Sequence, residues 1–181
     1  MEFCFYDFLV IASGATPSFF GLDNVKAVAQ PMKSVVDAIS IRNTILENME
    51  KALITDLPEE KEPYLNIVVV GGGPTGTEIA GALAEMKKHI FPKEYKELDI
   101  SRVRIIVIEG SSTLLKGMSV KSSQKSREYL LKLGVEVYTG SYVKDYVQNS
   151  VILSNGERIA SKTVIWAAGI RGNKINGMSD T

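Results

Sequence analysis

Residues 65–85 read Leu65-Asn-Ile-Val-Val-Val-Gly-Gly-Gly-Pro-Thr-Gly-Thr-Glu-Ile-Ala-Gly-Ala-Leu-Ala-Glu85, and this stretch decides the fold. Its apolar run, Ile67 to Val70, has no polar alternation and ends in glycines, which predicts a strand buried on both faces of a parallel sheet. Beyond the glycines, Ile79, Ala80, Leu83, Ala84 and Met86 recur at helical spacing. Gly71, Gly73 and Gly76 fill the three places of a G-x-G-x-x-G fingerprint between that strand and that helix. Gly71 allows the tight turn, Gly73 lets backbone approach a pyrophosphate, and Gly76 lets the helix lie close on the strand. Gly71, Gly72, Gly73, Pro74, Thr75 and Gly76 are therefore the candidate pyrophosphate cradle, where free N–H groups and the helix dipole favour negative charge. Pro74 suits the first helical position, where an N–H has no helical partner.

A dinucleotide site also needs an acid at the end of the next strand, to accept hydrogen bonds from the adenosine ribose. Arg104–Ile108 is that strand, and Glu109 ends it. The usual spacing from the glycines is roughly 20 residues. Glu109 comes later because Lys87–Arg102 intervenes, a charged stretch with Pro92 that reads as a surface insertion. The alternative is that Glu109 merely ends a strand in solvent; its place in a βαβ unit favours the ribose role.

Composition bounds the rest. The 181 residues are 45% hydrophobic and 23% charged, and Lys+Arg and Asp+Glu balance at 21 each. That is an ordinary globular composition, and its charge gives no reason to expect nucleic acid as a partner. Cys4 is the single cysteine, so an internal disulfide, a redox cysteine pair and a cysteine zinc site are excluded; it reads as an incidental thiol. No catalytic side chain and no metal site are expected. No apolar run is long enough to cross a bilayer.

Along the chain, Tyr6–Ala12 reads as a second buried strand, one with little chain before it to supply neighbours. That suggests a piece of a longer protein, or pairing with later strands. Phe19, Phe20 and Leu22 would mark a contact surface if exposed together. Ser34-Val-Val-Asp37 resembles a capping box. It opens one amphipathic helix of about five turns, with Val35, Ala38, Ile39, Ile45, Leu46, Met49, Ala52 and Leu53 as its apolar positions. Asp56–Pro63 reads as a surface connection. Ser119 or Ser122 caps a half-exposed helix that Gly134 stops. Val135–Tyr138 is a short strand. Tyr142–Val147, Val151–Leu153 and Glu157–Ile159 predict three antiparallel strands covering the sheet on one side. Between the last two, Asn155-Gly156 suits a type I′ turn. Lys162–Ala168 is the last buried strand.

Taken together, the chain resembles the NADH-binding domain of a type II NADH dehydrogenase, among the FAD-dependent pyridine nucleotide-disulfide oxidoreductases. The resemblance rests on Tyr6-Asp-Phe-Leu-Val-Ile-Ala-Ser-Gly14, Asn66–Glu78, Gly81-Ala-Leu-Ala-Glu-Met-Lys-Lys88, Ile105-Ile-Val-Ile-Glu109, Lys132-Leu-Gly-Val-Glu-Val137 and Thr163-Val-Ile-Trp-Ala-Ala-Gly169. It implies an α/β, Rossmann-like parallel sheet with flanking helices and a three-stranded antiparallel meander. It divides the chain into a stump of the FAD domain with a crossing (1–33), the NADH domain (34–168) and the start of the return (169–181). It implies hydride transfer from NADH to FAD and electron transfer on to a quinone. FAD would belong to the full-length parent, so this chain alone would be inactive. Ala168 and Gly169 would lie at a crossing near both cofactors. Ser13 stands where the family has Thr. A second glycine fingerprint and the flavin contacts after Gly169 are missing, which implies a fragment. The parent would be cytoplasmic and peripheral on the inner face of the cell membrane, with the quinone reached through the missing parts.

Several residues keep two readings. Glu78 is near the nicotinamide and flavin by resemblance, or is an acid complementing the helix start. Gly81 reads as a helix-packing glycine, His89 as a solvated helix-end site, and Trp166 as core. No Arg lies just after Glu109 and the nearest cation beyond it is Lys116, so NADH is expected over NADPH. The functional alternatives are another NADH-linked reductase, of ferredoxin or disulfide type, and a non-catalytic NAD(H) sensor. The crossing segments argue against a sensor, which has no need of them.

Overall fold

A computed structural model describes residues 5–175 and 177. Cys4 lies outside the described residues. The chain begins with β1 (Ala15–Pro17), α1 (Asp23–Lys26) and β2 (Gln30–Pro31). The helices α2 (Val35–Ile54) and α3 (Pro58–Leu65) lead into β3 (Asn66–Val70), followed by α4 (Pro74–His89) and α5 (Phe91–Glu94). Then come β4 (Arg104–Glu109), α6 (Val120–Lys132), β5 (Glu136–Thr139), β6 (Val143–Val147), β7 (Ser150–Leu153) and β8 (Arg158–Ala160). The last elements are β9 (Thr163–Trp166) and β10 (Ile170–Gly172).

The central sheet has the order β2-β9-β3-β4-β5, every neighbouring pair parallel. Strand β3 is central, which is why its residues are all buried and its sequence does not alternate. Ile67, Val69, Ile105, Val107 and Ile165 face one way, onto Ile45, Met49 and Ala52 of α2 and Ala80, Leu83 and Ala84 of α4. Val68, Val70, Ile106, Ile108, Val164 and Trp166 face the other way, onto Val143, Val151, Leu153 and Ile159 of the antiparallel meander β6-β7-β8. Helices therefore cover one face and the meander the other. Strands β1 and β10 form a separate antiparallel ribbon, reached directly from the end of β9. Val25 of α1 belongs to the meander-side core, and β2 is an edge of the main sheet.

Helix α2 starts as its sequence predicts. The Ser34 hydroxyl accepts from Asp37 N–H, and the Asp37 carboxylate accepts from Ser34 N–H at 2.8 Å. The buried stripe is shifted from the predicted one: Ile41, Ile45, Asn48, Met49 and Ala52 are buried, whereas Val35 and Ile39 are exposed. Asn48 is inside because its amide donates to the Thr163 hydroxyl at 2.8 Å, tying α2 to β9.

Other expectations are corrected. Tyr6–Ala12 is not a strand, and Phe8 and Val10 are almost fully exposed. Among the described residues none pairs with its backbone, and an apolar strand forms only between neighbours. The segment 56–63 is not a plain connection: α3 occupies most of it, with Pro58 at its start and buried Leu65 anchoring its end. The segment 87–102 is more than a surface insertion, since Phe91 is fully buried and Leu98 joins the same core. Of Phe19, Phe20 and Leu22, only Phe20 is strongly exposed; Phe19 stacks on Trp166 at 5.1 Å between ring centroids. The tight turn with two left-handed residues is Gln148-Asn149 (φ 50° and 57°), between the paired Val147 and Ser150. In the turn after β7 only Gly156 has positive φ, so Asn155-Gly156 is not type I′.

Across the strands, the Arg104 guanidinium clasps Glu136 with two hydrogen bonds of 2.7 Å, joining β4 to β5. The bond from Arg104 holds the Glu136 carboxyl below its ordinary value, with partial desolvation opposing it. A carboxyl whose pKa is lowered by folding stabilises the fold above its unfolded pKa, and that contribution is lost as pH falls through the folded pKa. Glu136→Gln is therefore expected to destabilise the chain at neutral pH by roughly 0.5–1 kcal/mol, since the pair is partly solvated. Denaturant titrations of the two proteins should converge in acid.

Candidate dinucleotide site

The carboxyl end of β3 turns sharply at Gly71, whose φ is +109° and whose N–H donates to Ile108 O at 2.8 Å. A Cβ on Gly71 would lie 2.6 Å from the Ala167 carbonyl, so the ends of β3 and β9 touch there. Gly76 is tighter: its Cβ would lie 1.8 Å from Gly71 O. That contact lets α4 lie against the strand, as the sequence predicts. Gly72 is buried, and both its backbone groups are engaged. Its N–H donates to Glu109 Oε2 at 2.6 Å and its carbonyl accepts from Leu115 N–H at 2.8 Å. A Cβ there would lie 2.5 Å from Leu114 Cδ2 and 2.9 Å from Glu109 Cβ.

Gly73 differs from the other three. It is the N-cap of α4, and a Cβ on it would meet no atom within 4 Å. No side chain caps the helix, Pro74 occupies its first position, and Pro74 and Thr75 are exposed. The helix start is thus bare where its unpaired N–H groups face outward. Gly71, Gly72 and Gly76 build the turn; Gly73, Pro74 and Thr75 present it.

Glu109 stands at the end of β4 beside this turn, and its second oxygen accepts from Ser111 N–H at 2.7 Å. A hollow of about 470 Å³ lies over the ends of β3, β4 and β9. Gly71, Glu109, Ser111, Trp166 and Ala168 line one side, and Tyr142 and Lys144 reach in from the meander side. The chain leaves β3 for β4 on one side and returns as β9 on the other, and ligands of such sheets bind at that switch point. A second hollow, of about 230 Å³, lies beyond Ala168 and is lined by Lys33, Thr75, Ala168 and Gly169. Gly169 is held there by its carbonyl, which accepts from Ser18 N–H at 3.0 Å.

Glu78 is exposed and is the fifth residue of α4, so the helix has no acid in its first turn. The helix-start reading loses its basis, because the dipole effect fades within that turn. Spacing of three puts Glu78 on the side of α4 that carries Thr75. Gly81 has open space around a Cβ, so it is not a close-packing glycine. His89 pairs with Glu85 at 3.2 Å and is mostly exposed, as expected for a solvated helix end. Trp166 is core, 3% exposed, with its indole N–H donating to Ser18 O at 2.8 Å.

Sequence reasoning missed Ser111, Tyr142 and Lys144. Ser111, two residues after the acid, was findable as a loop N–H; the other two arrive from the meander, which only the tertiary fold places there. The predicted nearest cation, Lys116, is exposed and does not line the hollow, whereas Lys144 does. Among the described residues no group of acids, histidines or cysteines could hold a metal, and no helix is long and apolar enough to cross a membrane.

A parallel sheet with a glycine turn, a bare helix start and an acid on the next strand defines a dinucleotide-binding unit. The chain belongs to the pyridine nucleotide-disulphide oxidoreductase family, which matches residues 4–178. It is 34% identical over 174 residues to the type II NADH:quinone oxidoreductase Ndh of Mycobacterium tuberculosis, covering 94% of this chain and 38% of that relative. It is also 34% identical over 166 residues to a probable NADH dehydrogenase of Dictyostelium discoideum, covering 91% of this chain and 37% of that one. The structure of NDH2 from Plasmodium falciparum in complex with NADH superposes with a TM-score of 0.83 at 31% identity, over 94% of this chain and 36% of that chain. The chain thus spans well under half the length of the curated relatives it matches. A ferredoxin reductase from Rhodopseudomonas palustris shares the fold at 14% identity and a TM-score of 0.65.

Proposed function

We propose that this chain is the NADH-holding part of a flavin-dependent NADH:quinone oxidoreductase. The observation that carries the reading is the bare start of α4 beside the open Gly73, with Glu109 anchored next to it. In this reading the N–H groups of Gly73, Thr75 and Gly76 face the pyrophosphate. The Glu109 oxygens, each bonded once to backbone, keep further acceptor sites for the ribose hydroxyls. Ala168 and Gly169 line the smaller hollow, which would be the nicotinamide side, and Glu78 would approach it from the side of α4 that carries Thr75. NADH supplies the hydride, and the protein supplies position and electrostatics.

The similarity to NADH:quinone oxidoreductases supports a quinone as the final acceptor; FAD would be the hydride acceptor between them, and both would be served by residues outside this chain. The exposed apolar segment from Phe5 to Ile11 and the β1-β10 ribbon are the parts that would meet an FAD domain of a full-length parent. Residues 1–33 would then be a stump of the FAD domain with its crossing, 34–168 the NADH domain and 169–181 the start of the return. The parent would be peripheral on the inner face of the cell membrane.

Titration of the chain with NADH and NADPH tests the site. NADH is expected to bind roughly ten- to a hundredfold more tightly, the range for hydrogen bonds to a charged acceptor. Glu109→Ala should narrow the gap by weakening NADH. Equal affinities in the unmutated chain would defeat the reading. NADH-dependent quinone reduction, measured once the flavin-binding segments are supplied, separates an electron-transferring unit from a sensor.

A further inference from the structure

We propose that Glu109 is a brace for the phosphate-facing turn, in addition to any contact with ribose. The proposal rests on the site reading above but concerns the protein before ligand arrives. The Glu109 carboxylate joins Gly72 in the turn after β3 to Ser111 in the loop after β4. One oxygen accepts from Gly72 N–H at 2.6 Å and the other from Ser111 N–H at 2.7 Å. Both are short bonds to a charged acceptor, the stronger kind. Gly72 is also held from the other side by Leu115 N–H at 2.8 Å, and its missing Cβ leaves the room that Leu114 and Glu109 fill. Gly72 N–H is therefore not free for phosphate. It fixes the turn instead, so that the next residue, Gly73, opens outward as the cap of α4.

The consequence separates this role from ribose binding. If Glu109 only received ribose hydroxyls, a ligand lacking them would not sense its loss. A diphosphate would even bind more tightly once a nearby negative charge was removed. If Glu109 braces the turn, the diphosphate itself binds less well without it.

The test uses this chain, its Glu109→Gln variant, and two probes: ADP, and 2′,3′-dideoxy-ADP, which keeps the diphosphate and lacks both ribose hydroxyls. Glutamine keeps one acceptor oxygen and turns an NH2 toward one of the two N–H donors. Dideoxy-ADP is expected to bind roughly five- to tenfold more weakly to the variant, less than a lost direct hydrogen bond to a charged group would cost, because the turn loosens while the ligand keeps its own contacts. In the ligand-free variant, amide hydrogen exchange should speed up at Gly72 and Ser111 while Ile106 in the sheet core keeps its rate. Unchanged or tighter dideoxy-ADP binding would overturn the proposal, as would an equal acceleration at Ile106, which marks global destabilisation. Failure of the unmutated chain to bind ADP would instead defeat the site reading, and selective acceleration at Gly72 and Ser111 would still support the brace.

Discussion

Replacing Gly76 with alanine is expected to abolish dinucleotide binding and to destabilise the chain by more than about 3 kcal/mol, the range reached when a tight contact is overpacked. The added Cβ would lie 1.8 Å from Gly71 O, and 3.0 Å from Gly71 C. Both are backbone atoms of the turn, so no side chain can swing aside. Either α4 lifts from β3, and Ala80, Leu83 and Ala84 lose their contact with the sheet, or the turn itself is rebuilt. Each route moves Gly73, and with it the bare helix start. Gly81→Ala in the same helix is the control. Its Cβ meets open space, so the usual helical advantage of alanine should appear as a gain of roughly 0.5–1 kcal/mol. Thermal melts and an ADP titration of the two variants check the pair. A Gly76→Ala protein that melts and binds like its parent would show that the close contact is not required.

Trp166→Ala should carry the second largest effect, a loss of about 3–5 kcal/mol. The indole is 3% exposed on the meander face of β9 and stacks on Phe19. Its N–H is the donor to Ser18 O, so truncation also strips that carbonyl of its partner. Because Trp166 lines both hollows, the same change removes a wall they share. Trp166→Phe keeps the ring contact and forgoes the hydrogen bond, and should lose roughly 1–2 kcal/mol. Denaturant unfolding distinguishes the cases. A Trp166→Ala protein within about 1 kcal/mol of the parent would mean that the crossing loop is held by other contacts.

The parts legible in the sequence are those whose cause is local. Ile67–Val70 had to be a doubly covered strand because it does not alternate, and Gly71 and Gly76 had to be glycines because a turn and a close helix need them. Glu109 followed from its place at the end of the next strand. The parts that were not legible depend on what folds beside them. Tyr6–Ala12 has every local mark of a strand, yet it lies open because none of the described residues pairs with it. Asp56–Pro63 read as a surface connection, but α3 occupies most of it and contains Pro63. Gln148-Asn149 makes a left-handed turn without glycine, so the residue pattern pointed to Asn155-Gly156 instead. In the site, Lys144 and Tyr142 come from the meander and no spacing rule reaches them. The bond from Gly72 N–H to Glu109 is likewise invisible in sequence, since it depends on how β3 and β4 end side by side.

The most direct test of the dinucleotide site is a titration of isotope-labelled chain with NADH, followed through its backbone amide resonances. The expected shifts fall on Gly73, Thr75 and Gly76 at the start of α4, and on Gly110 and Ser111 beside Glu109. Shifts confined to the opposite end of α4, around Lys87, Lys88 and Ser101, with the amides of Gly73 and Gly76 unmoved, would contradict it.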